Sequence, residues 1–69
     1  MTREQHLQWA KKRALEYLDT NDVRGAVMSI LSDLRKHPET DYPAFLGVIG
    51  IGYAGANDAD GARKFIEGF

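Results

Sequence analysis

The run from Gly50 to Gly55 has the spacing G-x-G-x-x-G, the pattern that brings backbone amides of dinucleotide-binding proteins against a pyrophosphate. That chemistry requires a strand before the glycines, a helix after them and an acidic residue about 20 positions further on to hold the ribose. Residues 46–49 can be read as the strand, but the acidic position would fall beyond Phe69 and no second parallel strand is available. A small-ligand site at this turn is the third of three hypotheses for the chain.

An acidic segment near the carboxyl end is a second candidate for chemistry. Four residues occupy the third, fifth, sixth and twelfth places of an EF-hand calcium loop, namely Asp58, Asp60, Gly61 and Glu67. The first ligand place holds Ala56, so a carboxylate that the loop geometry relies on is missing. A capped turn followed by a helix explains the same residues, and we predict no calcium site.

The two histidines, His6 and His37, are the side chains that titrate nearest to neutral pH. Neither has a nucleophile or a paired carboxylate close by in sequence, and the chain contains no cysteine for a zinc cluster or a disulfide. His6 is interpreted as a solvated residue of a first helical turn, and His37 as a cation at a helix carboxyl end. The sequence therefore predicts no enzyme, no metal site and no bound cofactor.

Helices must position these residues, because hydrophobic side chains recur every three or four positions over residues 3–18 and 23–36. We predict helix 1 and helix 2 over these two ranges, joined by a polar turn. Their apolar stripes are Leu7, Ala10, Ala14, Tyr17 and Leu18 in helix 1, and Val23, Ala26, Val27, Ile30, Leu31 and Leu34 in helix 2.

The ends of these two helices carry recognisable signals. Thr2 and Gln5 have the spacing of a capping box at the start of helix 1. Either Asn21 or Asp22 caps helix 2. Pro38 ends helix 2, because proline disfavours helical geometry in the residue before it.

A third helix is predicted over residues 43–56, with Pro43 in its first turn. It is almost wholly apolar, with a small side of Ala44, Gly47, Gly50, Ala54 and Gly55 and a bulky side of Phe45, Leu46, Ile49 and Tyr53. A short fourth helix follows the turn at 57–61. The expected fold is all-α, a single domain over residues 1–69 with three to four short helices arranged as two antiparallel hairpins.

Composition limits the possible functions. A chain of 69 residues buries only about 60% of its unfolded surface, and without cysteines oligomerisation is the stabilising device left open. A net charge of −1 argues against a dedicated nucleic-acid partner. The longest apolar run is shorter than the roughly 20 residues that span a bilayer, and the amino-terminal residues do not resemble a signal peptide. We therefore expect a cytoplasmic protein with no membrane partner.

An alternative hypothesis is a nucleic-acid-binding accessory protein. It would use Lys11, Lys12 and Arg13 to contact phosphates and Trp9 to stack on a base. Successive helix residues point in different directions, however, so this run does not form one basic face.

The first hypothesis is a protein-binding module that also self-associates. A helix that is hydrophobic nearly all round cannot be covered within so small a bundle, and the exposed part marks a binding site. A symmetric homodimer is the simplest way to bury it. The predicted self-association residues are Phe45, Ile49 and Tyr53, with Met28 at the edge of the patch.

Trp9 and Arg13 form a second predicted binding surface. Trp9 lies nearly opposite the apolar stripe of helix 1, and Trp and Arg are enriched in the residues that dominate binding energies. The alternative is that Trp9 packs beneath the carboxyl-terminal segment, against Phe65 or Phe69.

Helices 1 and 2 resemble a tetratricopeptide-type helical hairpin, and helices 3 and 4 echo it only faintly. The residues at matching spacings are Ala14, Tyr17, Asn21, Ala26, Ile30 and Pro38. Asp33 departs from the pattern, which expects a small residue there. Any short antiparallel hairpin can also produce this spacing.

A wider resemblance covers most of the chain outside residues 41–62. It is carried by the segments 2–9, 13–17, 32–34, 36–40 and 63–69. Together they are similar to a family of small proteins encoded by tailed bacteriophages. The resemblance implies a phage origin, action inside the host bacterial cell and a role in modulating a host protein, and it carries no catalytic residues.

Overall fold

The amphipathic segments of the sequence are helices in the computed structural model, which describes residues 2–69. The helices are α1 Arg3–Asp19, α2 Val23–Arg35, α3 Ala44–Gly55 and α4 Ala59–Glu67, with a 3-10 turn at Pro38–Thr40. No strand is present among the described residues. The predicted all-α bundle is confirmed, and the predicted helix ends differ only at terminal residues, where helices fray.

The core lies where α1, α2 and α4 meet. The whole predicted stripe of α2 is buried, and α4 adds Ala62 and Ile66. Four of the five stripe residues predicted for α1 are also buried, namely Leu7, Ala10, Ala14 and Leu18. The fifth, Tyr17, is 39% exposed, so its assignment to the core was wrong. It lies at the edge of the stripe, next to Ala14 on the helix surface.

Each hairpin turns through an asparagine followed by an aspartate cap. Asn21 has a φ of 61°, a left-handed conformation that asparagine tolerates better than most residues. Asp22 then accepts a hydrogen bond on Oδ1 from the backbone N–H of Gly25, at 2.8 Å, which satisfies one free donor of the first turn of α2. The corresponding residues of the second hairpin are Asn57, Asp58 and Gly61.

The two hairpins correspond residue by residue around these turns. Tyr17, Asn21, Asp22, Gly25 and Ala26 of the first are matched at a constant offset by Tyr53, Asn57, Asp58, Gly61 and Ala62 of the second. The aspartate N–H donates to the tyrosine carbonyl in both turns, at 2.9 and 3.0 Å. The sequence indicated only a faint echo here, so the structure strengthens the relation between the hairpins.

The helix contacts follow the same symmetry. α1 packs on α4 as α3 packs on α2, and α2 contacts α4. Exchanging α1 with α3 and α2 with α4 leaves this set of contacting pairs unchanged. Within residues 2–69, α1 does not touch α3. This is the contact pattern of two hairpins related by an approximate two-fold.

The linker between the hairpins is tied to the end of α2. The buried Thr40 hydroxyl donates to the backbone oxygen of Leu34 at 2.7 Å. The Tyr42 hydroxyl donates to the backbone oxygen of Leu31 at 3.0 Å, and burial raises the pKa of this phenol. These two bonds fix where α3 begins.

Candidate protein-binding surfaces

Trp9 lies on the outward side of α1 and is 37% exposed. Its ring stacks on His6, with the ring centroids 5.6 Å apart, and the Arg13 guanidinium lies 4.8 Å from its centroid. A cation over an indole face is a favourable contact. Within residues 2–69, the aromatic neighbour of Trp9 is His6 and not Phe65 or Phe69. The indole is therefore anchored by its own helix and open to solvent on one side.

Asp33 is a buried carboxylate next to Arg13. Arg13 Nε lies 3.1 Å from Oδ2 and Lys36 Nζ lies 3.1 Å from Oδ1. Among the residues that the structure describes, Oδ2 accepts no aligned hydrogen bond, so the contact with Arg13 is an ion pair. Where the tetratricopeptide pattern expects a small residue, this chain places a charge that links α1 to α2.

His6 is buried, so its interpretation as a solvated residue was wrong. Its Nε2 donates to the backbone oxygen of Asp33 at 2.8 Å, since a carbonyl oxygen can only accept. The ring also meets His37 edge to face, with centroids 4.4 Å apart. The first turn of α1 packs against the end of α2, and this buries position 6 beside Leu7. His37 is exposed and lies just beyond Lys36, the C-cap of α2, at the carboxyl end of that helix as predicted.

The three consecutive basic residues of α1, Lys11 to Arg13, point their side chains in different directions. Lys11 Nζ donates to the backbone oxygen of Glu67 at the end of α4, at 3.2 Å. Arg13 points instead to Asp33 on α2, and Lys12 is exposed between them. Because these side chains reach different parts of the molecule, no observation favours a phosphate-binding face here.

α3 carries the most exposed large hydrophobic side chains of the described residues. The exposed fractions are 62% for Phe45, 69% for Val48, 44% for Ile49 and 57% for Ile51, and Met28 of α2 is 50% exposed. We call these five side chains the apolar face. A groove of about 330 Å³ runs between α2 and α3 alongside Met28, Val48 and Ile51. Val48 and Ile51 were not among the predicted interaction residues.

Tyr53 lies on the inner side of α3, although it was predicted to belong to the self-association surface. Its ring centroid is 6.1 Å from that of Phe65, and the ring covers Gly61 of α4. A side chain added at Gly50 would lie 2.8 Å from the Phe65 ring and 3.2 Å from Val27. The helix therefore turns its glycine towards its neighbours and leaves Phe45 and Ile49 outside.

The correspondence between the hairpins shows how unusual the apolar face is. Four exposed positions of α1 hold Lys12, Arg13, Glu16 and Asp19, whereas the equivalent positions of α3 hold Val48, Ile49, Gly52 and Gly55. One helix has the charged surface expected in water, and its counterpart has none. Aligning the two hairpins in sequence would have revealed this difference.

The glycine run and the acidic segment have structural roles. Residues 50–55 lie within α3, so the helix predicted there is confirmed and the strand–turn reading is wrong. Asp58 is engaged as the cap of α4, with Oδ1 2.9 Å from the Gly61 N–H. Within residues 2–69, no group of three His, Cys, Asp or Glu side chains is arranged to hold a metal ion.

None of the helices in residues 2–69 combines the length and hydropathy needed to cross a bilayer. No family model, curated protein or solved structure matches the chain. The likeness to phage-encoded proteins and to tetratricopeptide hairpins therefore stays a prediction, and the molecular surface is the guide to function.

Proposed function

We propose that the chain is a protein-binding module whose first partner is a second copy of itself, held through the apolar face. The exposure of that face is the observation that carries the proposal. Its side chains expose on the order of 500 Å² of apolar surface, a patch of the size that marks binding sites on small proteins. Removing apolar surface from water contributes about 25 cal/mol per Å².

The chemistry of the face favours a partner like itself. No residue of α3 carries a charge, and the hydroxyl of Tyr53 is its sole polar side-chain group. A charged ligand would find nothing on α3 to pair with. A standard interface buries about 800 Å² per partner, so the roughly 500 Å² of the apolar face would form the larger part of such an interface. A two-fold dimer sets one face against the other, so neither face is left in water.

The charged outer surface of α1 supports this reading. Lys12 and Arg13 hold the positions that Val48 and Ile49 hold on α3. Because both positions are exposed in both hairpins, the hairpin itself does not require apolar residues there. Their presence on α3 alone is explained by contact with another protein.

Light scattering on a sizing column tests the proposal across a dilution series. We expect twice the monomer mass at high concentration and dissociation on dilution. Val48→Asp should raise the dimer dissociation constant at least about 100-fold, because burying an unpaired carboxylate costs several kcal/mol. Lys12→Asp is the matched control, since it places the same side chain at the equivalent position of α1.

The outcomes separate clearly. A wild-type chain that stays monomeric at every concentration, with a native helical spectrum, would overturn self-association. Equal weakening by Val48→Asp and Lys12→Asp would place the interface elsewhere. A further partner needs a surface that this dimer leaves free. Trp9 and Arg13 are the candidates for one, because both are exposed and neither belongs to the apolar face.

A further inference from the structure

We infer that the two α3 helices of the dimer cross at Gly52, where their backbones meet directly. The inference rests on the proposed self-association and adds the geometry of the interface. A glycine alone would not define an interface. Here the glycine lies among the exposed apolar side chains that must be covered.

Of the four glycines of α3, Gly47 would have an added Cβ in ordinary contact with Tyr42 at 3.6 Å, and the other three fall into two kinds. The space beside Gly50 is occupied by a side chain of the same molecule, because an added Cβ would lie 2.8 Å from the Phe65 ring. Apart from chain neighbours and the backbone of α3 itself, no atom of the described residues lies within 4 Å of such a Cβ at Gly52 or Gly55. Packing inside the monomer therefore gives no reason for glycine at these two positions, although glycine weakens a helix by about 1 kcal/mol relative to alanine.

The position of Gly52 places it inside the apolar face. Residues three and four apart are neighbours on a helix surface, so Gly52 lies directly beside Val48 and Ile49. These side chains are 69% and 44% exposed. They project from the helix next to Gly52, where the missing side chain leaves a shallow depression. The equivalent position of α1 holds Glu16, a long charged side chain that would block any close approach.

A second α3 fits this depression because the facing surfaces are the same. In an isologous dimer, a residue on the two-fold axis meets its own copy. Helices in contact have axes about 8–10 Å apart and Cα atoms about 2.3 Å from each axis. Facing Cα atoms at the crossing then lie about 3.4–5.4 Å apart, and the upper part of this range matches the Cα separations of about 4.4–6.8 Å found in disulfides.

Cross-linking tests the crossing point directly. The chain has no native cysteine, so Gly52→Cys provides one thiol per protomer. We expect mild oxidation to convert most of this variant to a covalent dimer. Glu16→Cys, at the equivalent position of α1, should stay largely monomeric under the same conditions. Equal yields from the two variants would overturn the crossing at Gly52.

Gly52→Leu gives an independent result whose direction is decisive. A close crossing predicts at least a tenfold rise in the dimer dissociation constant, and a smaller rise for Gly52→Ala. An interface open at this position predicts the reverse, since leucine would add apolar area and tighten the dimer. Helical circular dichroism confirms that each variant is folded. A wild-type monomer would overturn the proposed function itself, whereas a wild-type dimer unaffected by these variants overturns only the crossing.

Discussion

Asp33 is the buried residue whose transfer out of water costs the most free energy, because it carries a carboxylate. Its side chain is 3% exposed, yet its two cationic partners keep about half of their side-chain surface in water. Solvent screens such partners, so each pair contributes less than a fully buried one. The carboxylate gains more from having two cations than from either alone.

Asp33→Asn keeps the shape of the side chain and removes its charge. We expect the free energy of unfolding to fall by about 1–2 kcal/mol, the loss typical of hydrogen-bonded charged contacts with partly exposed partners. Urea denaturation measures the change, and Asp19→Asn on the exposed end of α1 is the control. A more stable Asp33→Asn variant would mean that desolvation of the carboxylate outweighs its attraction to Arg13 and Lys36.

Tyr42 gives the protein a pH dependence at the alkaline side. Burial raises the pKa of its phenol above the ordinary value of 10.0, because the neutral hydroxyl is favoured in the folded state. Its contribution to stability is therefore complete below pH 10 and is lost as the pH rises through the folded-state pKa. In Tyr42→Phe this part of the alkaline loss should disappear. Urea denaturation at a series of pH values compares the two chains, and parallel curves would contradict the assignment.

For single residues, polarity was an unreliable guide to burial. His6 is polar and lies in a first turn, which favours exposure. The tertiary contact with the Asp33 backbone oxygen reverses that expectation. Such a contact joins residues far apart in sequence, so no local pattern could indicate it.

The glycines of α3 determine how closely this element packs. Gly50 lets α3 approach α2 and α4, whereas Gly52 faces away from both. The helical periodicity predicted a small side and a bulky side. It did not determine which side faces inward, and for that reason Tyr53 was assigned to the wrong surface.

Two alanine variants compare these positions in one helix. Gly50→Ala should lower the free energy of unfolding by about 1–2 kcal/mol, because the new methyl group must displace the Phe65 ring. Gly52→Ala should raise it by about 0.5–1 kcal/mol through helix propensity. Thermal and urea denaturation at concentrations where the chain is monomeric measure both. Equal shifts of the same sign would contradict the inward position of Gly50.

For the whole molecule, self-association links stability to concentration. A ligand that binds only the folded state raises its stability, and a second copy acts as such a ligand. The Tm of the wild-type chain should therefore rise with protein concentration, and that of Val48→Asp should not. Calorimetry over a wide concentration range measures both. A wild-type Tm independent of concentration would contradict the dimer.

The overall architecture was largely predictable, because caps and apolar periodicity are local signals. The Thr2 and Gln5 capping box and the Asp22 cap are present as predicted. The relation between the two halves of the chain was the part that local signals concealed. α1 and α3 share their turn residues but differ in their exposed residues. The different exposed residues hide the similarity of the two segments in the sequence.

The approximate two-fold between the hairpins has a consequence for assembly. Each hairpin offers its counterpart the same kinds of contact, so the chain behaves as a tethered homodimer of half-domains. The segment from Pro38 to Pro43 is the tether. If that segment were too short to let α3 fold back on α2 of its own chain, two chains would exchange halves and rebuild the same core. A chain shortened in this segment would thus form a dimer by a second route, one that leaves the apolar face untouched.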